Sequence, residues 1–520
     1  MIEPQFRRSG TLWYVGDGLI WDQHPPARRR QPGRPLECSC RLYVYNPGHR
    51  TAKGVARFYH PDRPPTEARL SVPAGRLTIL EVSALPGVPH NQSFWLAVES
   101  DAPVFPQMVH EDYTGWDPVP DALVSIAPYP GPLEDERRWV FPDCYQSDPT
   151  QGWFERETLT ILNPGTRPAA VRVRYLLRNR EPGAEEEVRV PPGRVAQLDV
   201  WRRTPRLLGQ PDGPPVHVVG DYAVRLDSDA PVVAQTTRRA RWVGNPAVVG
   251  ARSTMGVPLR GRGRRLWYYP GGGVWDRGIL PRARPSDHPL HQCDNTWNLL
   301  FINNVSETSA ADATIHFHAP DGSRTSVSEL AVPPLRSALC CLHGAPYLGR
   351  NVSVDSPFAL SVESEGWVVP EMTCAEFEMW SQVCPGAMSA VNFHPGPLRE
   401  EQTWWLGVGI AGGSDERQTE WTQSYHLFNP GPGPARVELS FLGLGEHGPQ
   451  APREVLLAPG AVACVELGEA DGLPGHRPFV VRATADRPFC AQAFTRAFTR
   501  GLPHTRAMFS IMGVAMDLGG

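Results

Sequence analysis

Several polar side chains in this chain stand inside otherwise apolar stretches, where a polar group needs a partner. Glu157, Gln235 and Arg238 are of this kind. Gln offers a donor and an acceptor, and the guanidinium fork of Arg matches a carboxylate or phosphate. The three could line a pocket for a polar ligand, or form a Glu–Arg pair at an internal interface. Gln107, His110 and Gln492 sit in similar settings. Trp21 and Trp153 fall in less regular segments, where an indole face can stack on a sugar ring. Val109-His110-Glu111-Asp112 has the composition of an acid–base cluster, but no Gly-x-Ser-x-Gly elbow or His-Glu-x-x-His accompanies it. Gly271-Gly272-Gly273 lacks the helix and the Lys-Ser/Thr tail of a phosphate loop. His288, His291, His316 and His318 raise the question of a metal, because histidines at i and i+2 of a strand share a face. The corresponding strand elsewhere carries Arg172 and Arg174, so an ordinary wet face is the preferred reading. No catalytic residue, cofactor or metal is assigned, and a binding role is expected over an enzymatic one.

The elements that hold these residues follow from composition and pattern. Pro 56 and Gly 49 make up about a fifth of 520 residues, against a usual share of roughly 12%. Pro has no N–H and clashes with a preceding helical turn, so helical bundles and helical solenoids are excluded. A hydrophobic share of 41% with 16 Trp is too high for a disordered chain. Val171-Arg-Val-Arg-Tyr and Val437-Glu-Leu-Ser-Phe alternate with period two, which marks strands with one buried face. Turn signals every 8–12 residues or so indicate antiparallel sandwiches.

Four landmarks recur in one order. A Trp opens each unit at Trp13, Trp139, Trp267 and Trp404. Asn-Pro-Gly follows an apolar run at Asn46, Asn163 and Asn429, with Asn303-Asn304 at the matching place. Val-Pro-Pro-Gly-Arg and its variants follow at Val72, Val190, Val332 and Leu457. Asp-x-Pro closes at Asp101, Asp229, Asp355 and Asp486, a period of about 130 residues. Pro presets φ in these turns, Gly accepts a positive φ, and Asp caps the backbone. The expected architecture is all-β: four tandem antiparallel sandwiches, residues 1–130, 131–260, 261–395 and 396–520, in a pseudo-fourfold ring or a two-by-two block.

The formal charge of −4 provides no field for nucleic acid or an anionic membrane. The Arg28–Arg30 and Arg260–Arg265 clusters adjoin Pro or Gly and read as solvated linkers. Ten scattered cysteines form no Cys-x-x-Cys pair, and no apolar run reaches the 18 or so residues of a membrane span. A cytoplasmic protein with reduced thiols, without membrane insertion, is expected.

The unit resembles the sensory rhodopsin transducer family. The second unit carries the resemblance best: Arg138-Trp139, then Arg156-Glu157-Thr-Leu-Thr-Ile-Leu-Asn163, then Ser228-Asp-Ala-Pro-Val-Val-Ala-Gln235-Thr-Thr-Arg238. The resemblance implies a β-sandwich assembled as a homotetramer and a small-molecule-binding role, with sugars or related polar metabolites as ligands. It also implies a protein partner, because founding members bind a photoreceptor. Four units in one chain then resemble a covalent tetramer. Only the second keeps Glu, Gln and Arg together as the family does. The Gln place holds Gln107, Gln492 and, in the third unit, Ser361, with His110, Thr495 and Ser364 three residues on. The Glu157 place holds Cys40, Trp297 and Gln423. The leading expectation is a non-catalytic protein binding a small, sugar-like ligand. The alternatives are an adaptor that docks a protein and a carbohydrate-active enzyme.

Overall fold

The computed structural model describes residues 10–20, 38–113, 120–146, 153–177, 184–200, 220–242, 248–259, 264–274, 296–377, 385–413, 419–443, 450–467, 473, 477–499 and 505–516, apart from 89, 91 and 345. Trp21, Trp275, His288, His291, Cys293 and Arg28–Arg30 lie outside them. The regular elements described are antiparallel strands and one short 3-10 turn, Val82–Ala84. They form paired sheets in several sandwich-like units.

The first unit contains β1 (Leu12–Gly18), β2 (Cys38–Tyr45), β3 (Ala52–Tyr59), β4 (Thr66–Val72), β5 (Leu77–Glu81), β6 (Phe94–Ser100), β7 (Phe105–Asp112), β8 (Ala122–Ser125) and β9 (Tyr129–Pro130). Its sheets run β4-β3-β6-β1-β9 and β5-β2-β7-β8. The second contains β10 (Arg138–Gln146), β11 (Trp153–Asn163), β12 (Ala169–Leu177), β13 (Ala184–Val190), β14 (Arg194–Asp199), β15 (Gly220–Ser228), β16 (Val233–Trp242), β17 (Val248–Met255) and β18 (Val257–Pro258). The same orders return as β13-β12-β15-β10-β18 and β14-β11-β16-β17.

Next come β19 (Arg264–Gly273), β20 (Thr296–Asn304), β21 (Ala311–His318), β22 (Arg324–Val332), β23 (Ser337–Cys341), β24 (Pro357–Phe377), β25 (Pro385–Asn392) and β26 (His394–Pro395). Here the 21-residue β24 serves both sheets: it joins β21 and β19 in one, and β20 and β25 in the other. Last come β27 (Thr403–Gly409), β28 (Gly412–Gly413), β29 (Thr419–Phe428), β30 (Ala435–Leu442), β31 (Arg453–Leu457), β32 (Val462–Leu467), β33 (Phe479–Ala485), β34 (Cys490–Thr499), β35 (Thr505–Met512) and β36 (Val514–Ala515). Their orders are β31-β30-β33-β27-β36 and β28-β29-β34-β35, with β32 on β29.

The alternating pattern decides which face is inside. On β12, Val171, Val173 and Tyr175 are fully buried, while Arg172 points outward to Glu185. The opening Trp13, Trp139, Trp267 and Trp404 are all core residues. Three of these indole N–H groups donate to backbone carbonyls, of Gly10, Val232 and Phe489. Burying an apolar side chain this fully contributes roughly 1.5–3 kcal/mol.

The turns differ in part from the expectation. In Asn-Pro-Gly the Asn side chain builds the turn. Oδ1 of Asn46, Asn163 and Asn429 accepts from the Gly two residues on, at 2.9–3.0 Å, and Nδ2 donates to carbonyls across the reversal. These glycines do not take a positive φ. The left-handed residue sits in the second reversal, at Gly75, Gly193, Gly460 and, without a glycine, Leu335 at φ 52°. Asp101, Asp229 and Asp486 cap the start of the neighbouring strand by accepting from the backbone N–H of Lys53, Ala170 and Arg436.

Candidate functional site

The polar residues of the second unit meet in its buried interior. β11 and β16 pair so that Glu157 faces Arg238 and Thr160 faces Gln235. Arg238 Nε donates to Glu157 at 3.0 Å and Nη2 to Asp143 at 2.9 Å, while Nη1 lies 3.4 Å from Glu155. Its guanidinium also lies over the Tyr145 ring, 5.4 Å from the centroid. Glu157 accepts in addition from Tyr145 N. The cluster then crosses to β24. Arg252 of β17 bridges Asp143 at 2.8 Å and Glu371 at 3.3 Å, and Thr373 Oγ1 donates to Asp143. Arg238 and Arg252 are the cations, and Asp143, Glu155, Glu157 and Glu371 the carboxyl groups.

The electrostatics sort these carboxyl groups into two classes. Burial alone would raise Asp143, but Arg238 and Arg252 outweigh it and hold the carboxyl below its usual range. Burial dominates at Glu155 and pushes it up to about 7 despite Arg238. Burial likewise pushes Glu371 up against the pull of Arg252. Two guanidinium charges therefore hold Asp143 ionised, while Glu155 and Glu371 are drawn toward neutrality. That balance lets several ionisable groups share a low-dielectric interior.

Sequence reasoning named Glu157, Gln235 and Arg238 but not Asp143, Arg252 or Glu371. The available signal was a charged residue inside an apolar strand, as in Val368-Val369-Pro370-Glu371. The pairing register also revises the third unit. Asn304 makes the bonds that Asn163 makes elsewhere, and Ile302 faces Pro370 as Ile161 faces Ala234. Glu371 therefore stands where Gln235 stands, with Cys374 in place of Arg238 and Asn298 in place of Glu157. The expected Ser361, Ser364 and Trp297 do not hold those positions. Ser361 pairs with Tyr268, in the other sheet.

Gln107, Gln235, Glu371 and Gln492 each lie against a bulge in a distant opening strand: Gln107 and Glu371 accept a hydrogen bond from it, and Gln235 and Gln492 pack on it. These bulges fall between Val15 and Gly18, Phe141 and Cys144, Tyr269 and Gly272, and Trp405 and Val408. A bulge turns a backbone group out of the ladder, where a side chain can meet it. Gln107 Oε1 accepts from Val408 N at 2.5 Å, and Glu371 Oε2 from Asp143 N at 3.3 Å. A Cβ on Gly16 would fall 1.5 Å from Gln235 Oε1, and one on Gly271 2.9 Å from Gln492 Oε1. Gln107 of β7 thus meets β27, Glu371 of β24 meets β10, Gln235 of β16 meets β1 and Gln492 of β34 meets β19.

The remaining candidates separate. His110 is buried with Asp112 at 3.0 Å and Cys38 at 3.6 Å. Burial opposes a charged ring there, but Asp112 and Cys38 together hold the imidazole well above its usual range. Trp153 opens β11, where its backbone faces Trp242. His316 and His318 hold different partners: His316 contacts Ser326 and Glu363, while His318 contacts Ser361 and lies tilted against the Phe428 ring. Burial draws both pKa values down, His318 to about 4. The eight described cysteines are free thiols.

One cavity of about 230 Å³ is lined by four short segments at or just after the ends of β8, β17, β25 and β35. Residues 127–130, 255–258, 392–395 and 512–515 line it, together with Trp267. Its wall is mostly Pro, Met, Val and aromatic, with Asn392 and His394 as polar members.

Residues 135–252 match the family model of the Anabaena sensory rhodopsin transducer, so this part of the chain is a domain of that family. No curated protein matches the chain. Among solved structures, Thermotoga maritima 1070 is 25% identical over 25% of this chain and 99% of its own, with a TM-score of 0.19. The Anabaena transducer is 22% identical over 19% of this chain and 85% of its own, with a TM-score of 0.16.

Proposed function

We propose that the chain is a non-catalytic binding protein, built as four transducer-like sandwiches closed into a pseudo-fourfold ring, with its ligand seat in the cavity on the ring axis. The carrying observation is the lining of that cavity: the same join segment from all four units. Two sets of contacts support the ring. The Gln/Glu-to-bulge contacts pass through every unit and return to the first. The closing strands β8, β17, β25 and β35 also pack in a closed cycle.

The seat suits a small molecule with a flat apolar face and one or two polar groups. Its volume lies below the roughly 300–1,000 Å³ of common ligand pockets. A monosaccharide or sugar acid fits this description, with its C–H face on Trp267 or Phe393 and its hydroxyls toward Asn392 and His394. The Glu157–Arg238 pair is then architecture, because its charges are spent on one another and on Asp143, and Gln235 packs against Gly16 of β1. A second reading, an adaptor that docks a protein partner, draws on the transducer match over residues 135–252.

Calorimetric titration with monosaccharides, sugar acids and small aromatic acids tests the seat. One class is expected to give heat that Val257→Trp abolishes, with the thermal midpoint kept within a few degrees. No heat across the panel, or unchanged binding in V257W, would remove the axial-seat reading and leave the adaptor.

A further inference from the structure

We propose that Cys38, His110 and Asp112 of the first unit form a binding site for one zinc-class divalent cation. The strand pair brings them to one face. Cys38 on β2 is directly opposite Asp112 on β7, and His110 lies two residues before Asp112. Period two then aims the three side chains the same way. Cys38 Sγ lies 3.6 Å from His110 Nδ1 and 3.7 Å from Nε2, and Nε2 lies 3.0 Å from Asp112 Oδ1. All three donor atoms fall within 4.8 Å of one another. A tetrahedral ion with bonds of about 2.0–2.3 Å separates its ligand atoms by about 3.3–3.6 Å. The observed spacing therefore needs only small side-chain adjustments. His110 and Asp112 are buried and Cys38 half-buried, so the site has dry walls and one side nearer the surface. The Cys38 thiol also contacts the Leu19 carbonyl at 3.5 Å, a contact that metal binding would replace.

The second unit supplies the electrostatic reason. In matched register Cys38, Cys40 and His110 stand where Glu155, Glu157 and Arg238 stand. There the guanidinium of Arg238 is the buried cation among carboxylates. In the first unit the same place holds an imidazole beside a thiol and a carboxylate, so a divalent ion would take over the charge that Arg238 carries. A sulfur, a nitrogen and an oxygen donor favour Zn²⁺ or Co²⁺ over Mg²⁺ or Ca²⁺, which prefer six or more oxygens. Three protein ligands leave a fourth position for water.

The test uses the full chain, stripped with a chelator and titrated with Co²⁺ and then Zn²⁺. Expected are one ion per chain, a thiolate-to-cobalt charge-transfer band, and loss of that band in Cys38→Ser with a fall of about 100-fold in zinc affinity. Asp112→Asn should weaken binding about tenfold or more. If that buried variant fails to fold, the half-buried Cys38→Ser decides alone. Cys464→Ser is the control, because Cys464 also lies beside a histidine, at 3.6 Å from His426. No uptake by the wild type would overturn the site in favour of a plain His110–Asp112 ion pair. So would a band that survives C38S or disappears in C464S.

Discussion

The strand pairs β2–β7 and β11–β16 share one register and carry different polar interiors. In the second unit, Glu155, Glu157 and Arg238 are bound to one another and, through Asp143 and Arg252, to Glu371 of another unit. Its charges are matched inside the protein, so its chemistry is spent on architecture. In the first unit the same places hold Cys38, Cys40 and His110, with Asp112 beside them. These are metal-ligand types, and none supplies a permanent cation. One backbone frame thus supports a self-neutralised core at one place and a site for an external ion at another. What decides between them is whether the central residue is Arg, which stays charged, or His, which can exchange its proton for a metal.

The strongest way to break the comparison is to remove the cation of the second cluster. Arg238→Met leaves Asp143 and Glu157 buried without their main partner. A loss of about 3–5 kcal/mol is expected in denaturant unfolding, enough to prevent folding if the chain is marginal. In the first cluster, occupancy should act the other way. Free Zn²⁺ at about 100 times its Kd should stabilise the wild type by about 2.7 kcal/mol. Cys38→Ser should show no such gain by thermal unfolding.

Next in size is the inter-unit contact. Gly16→Ala would drive a methyl into Gln235 Oε1, and Gln235 is itself packed in the interior. Overpacking of this kind costs about 1–3 kcal/mol. A Gly16→Ala chain as stable as the wild type would argue against tight Gln-to-bulge packing.

Much of this frame was legible in the sequence because local physics writes it there. Alternation marks Val171–Tyr175 as a strand, the recurring Trp marks a core position in an opening strand, and Asn-Pro-Gly marks a reversal even though the Asn side chain builds it. The charge cluster was half legible. Glu157 and Arg238 stand out in apolar strands, but Asp143, Arg252 and Glu371 join them only through tertiary contacts that no spacing encodes. The third unit misled because Asp355-Ser-Pro-Phe imitates the closing landmark. The strand that pairs like Gln235 begins further on, in Val368-Val369-Pro370-Glu371, and only the register against β20 reveals it. Cys38 escaped notice for the same reason, since 72 residues separate it from His110 until β2 and β7 pair.

A finer test separates the two classes of carboxyl group within the second cluster. Glu371 is raised on folding, so its contribution is most favourable at low pH and declines as pH rises from the ordinary carboxylate range. Glu371→Gln should therefore be within about 1 kcal/mol of wild type at pH 7 and should gain on it toward alkaline pH. Asp143 is lowered, so its contribution is present at neutral pH and lost as pH falls through its folded value. Asp143→Asn should cost more at pH 7 and converge on wild type in acid. Unfolding free energies from about pH 2 to 9 would separate the pair by the sign of their slopes, Asp143 below its usual 3.8 and Glu371 above its usual 4.5.

The smallest effect belongs to ion pairs of the same chemistry at the surface. Arg174 and Arg225 both reach Glu307 of the third unit, at 3.1 and 3.2 Å, which is close to the buried distances. The Glu307 side chain is 56% exposed, however, and water and salt screen it. Glu307→Gln should cost about 0.5 kcal/mol or less at low salt and nothing measurable at high salt. The Arg238 variant should keep its deficit at both ionic strengths, because its partners are out of reach of counterions. If the two variants responded to salt alike, the Arg238 cluster would be no better sealed from solvent than the Glu307 bridge, and distance alone would account for both.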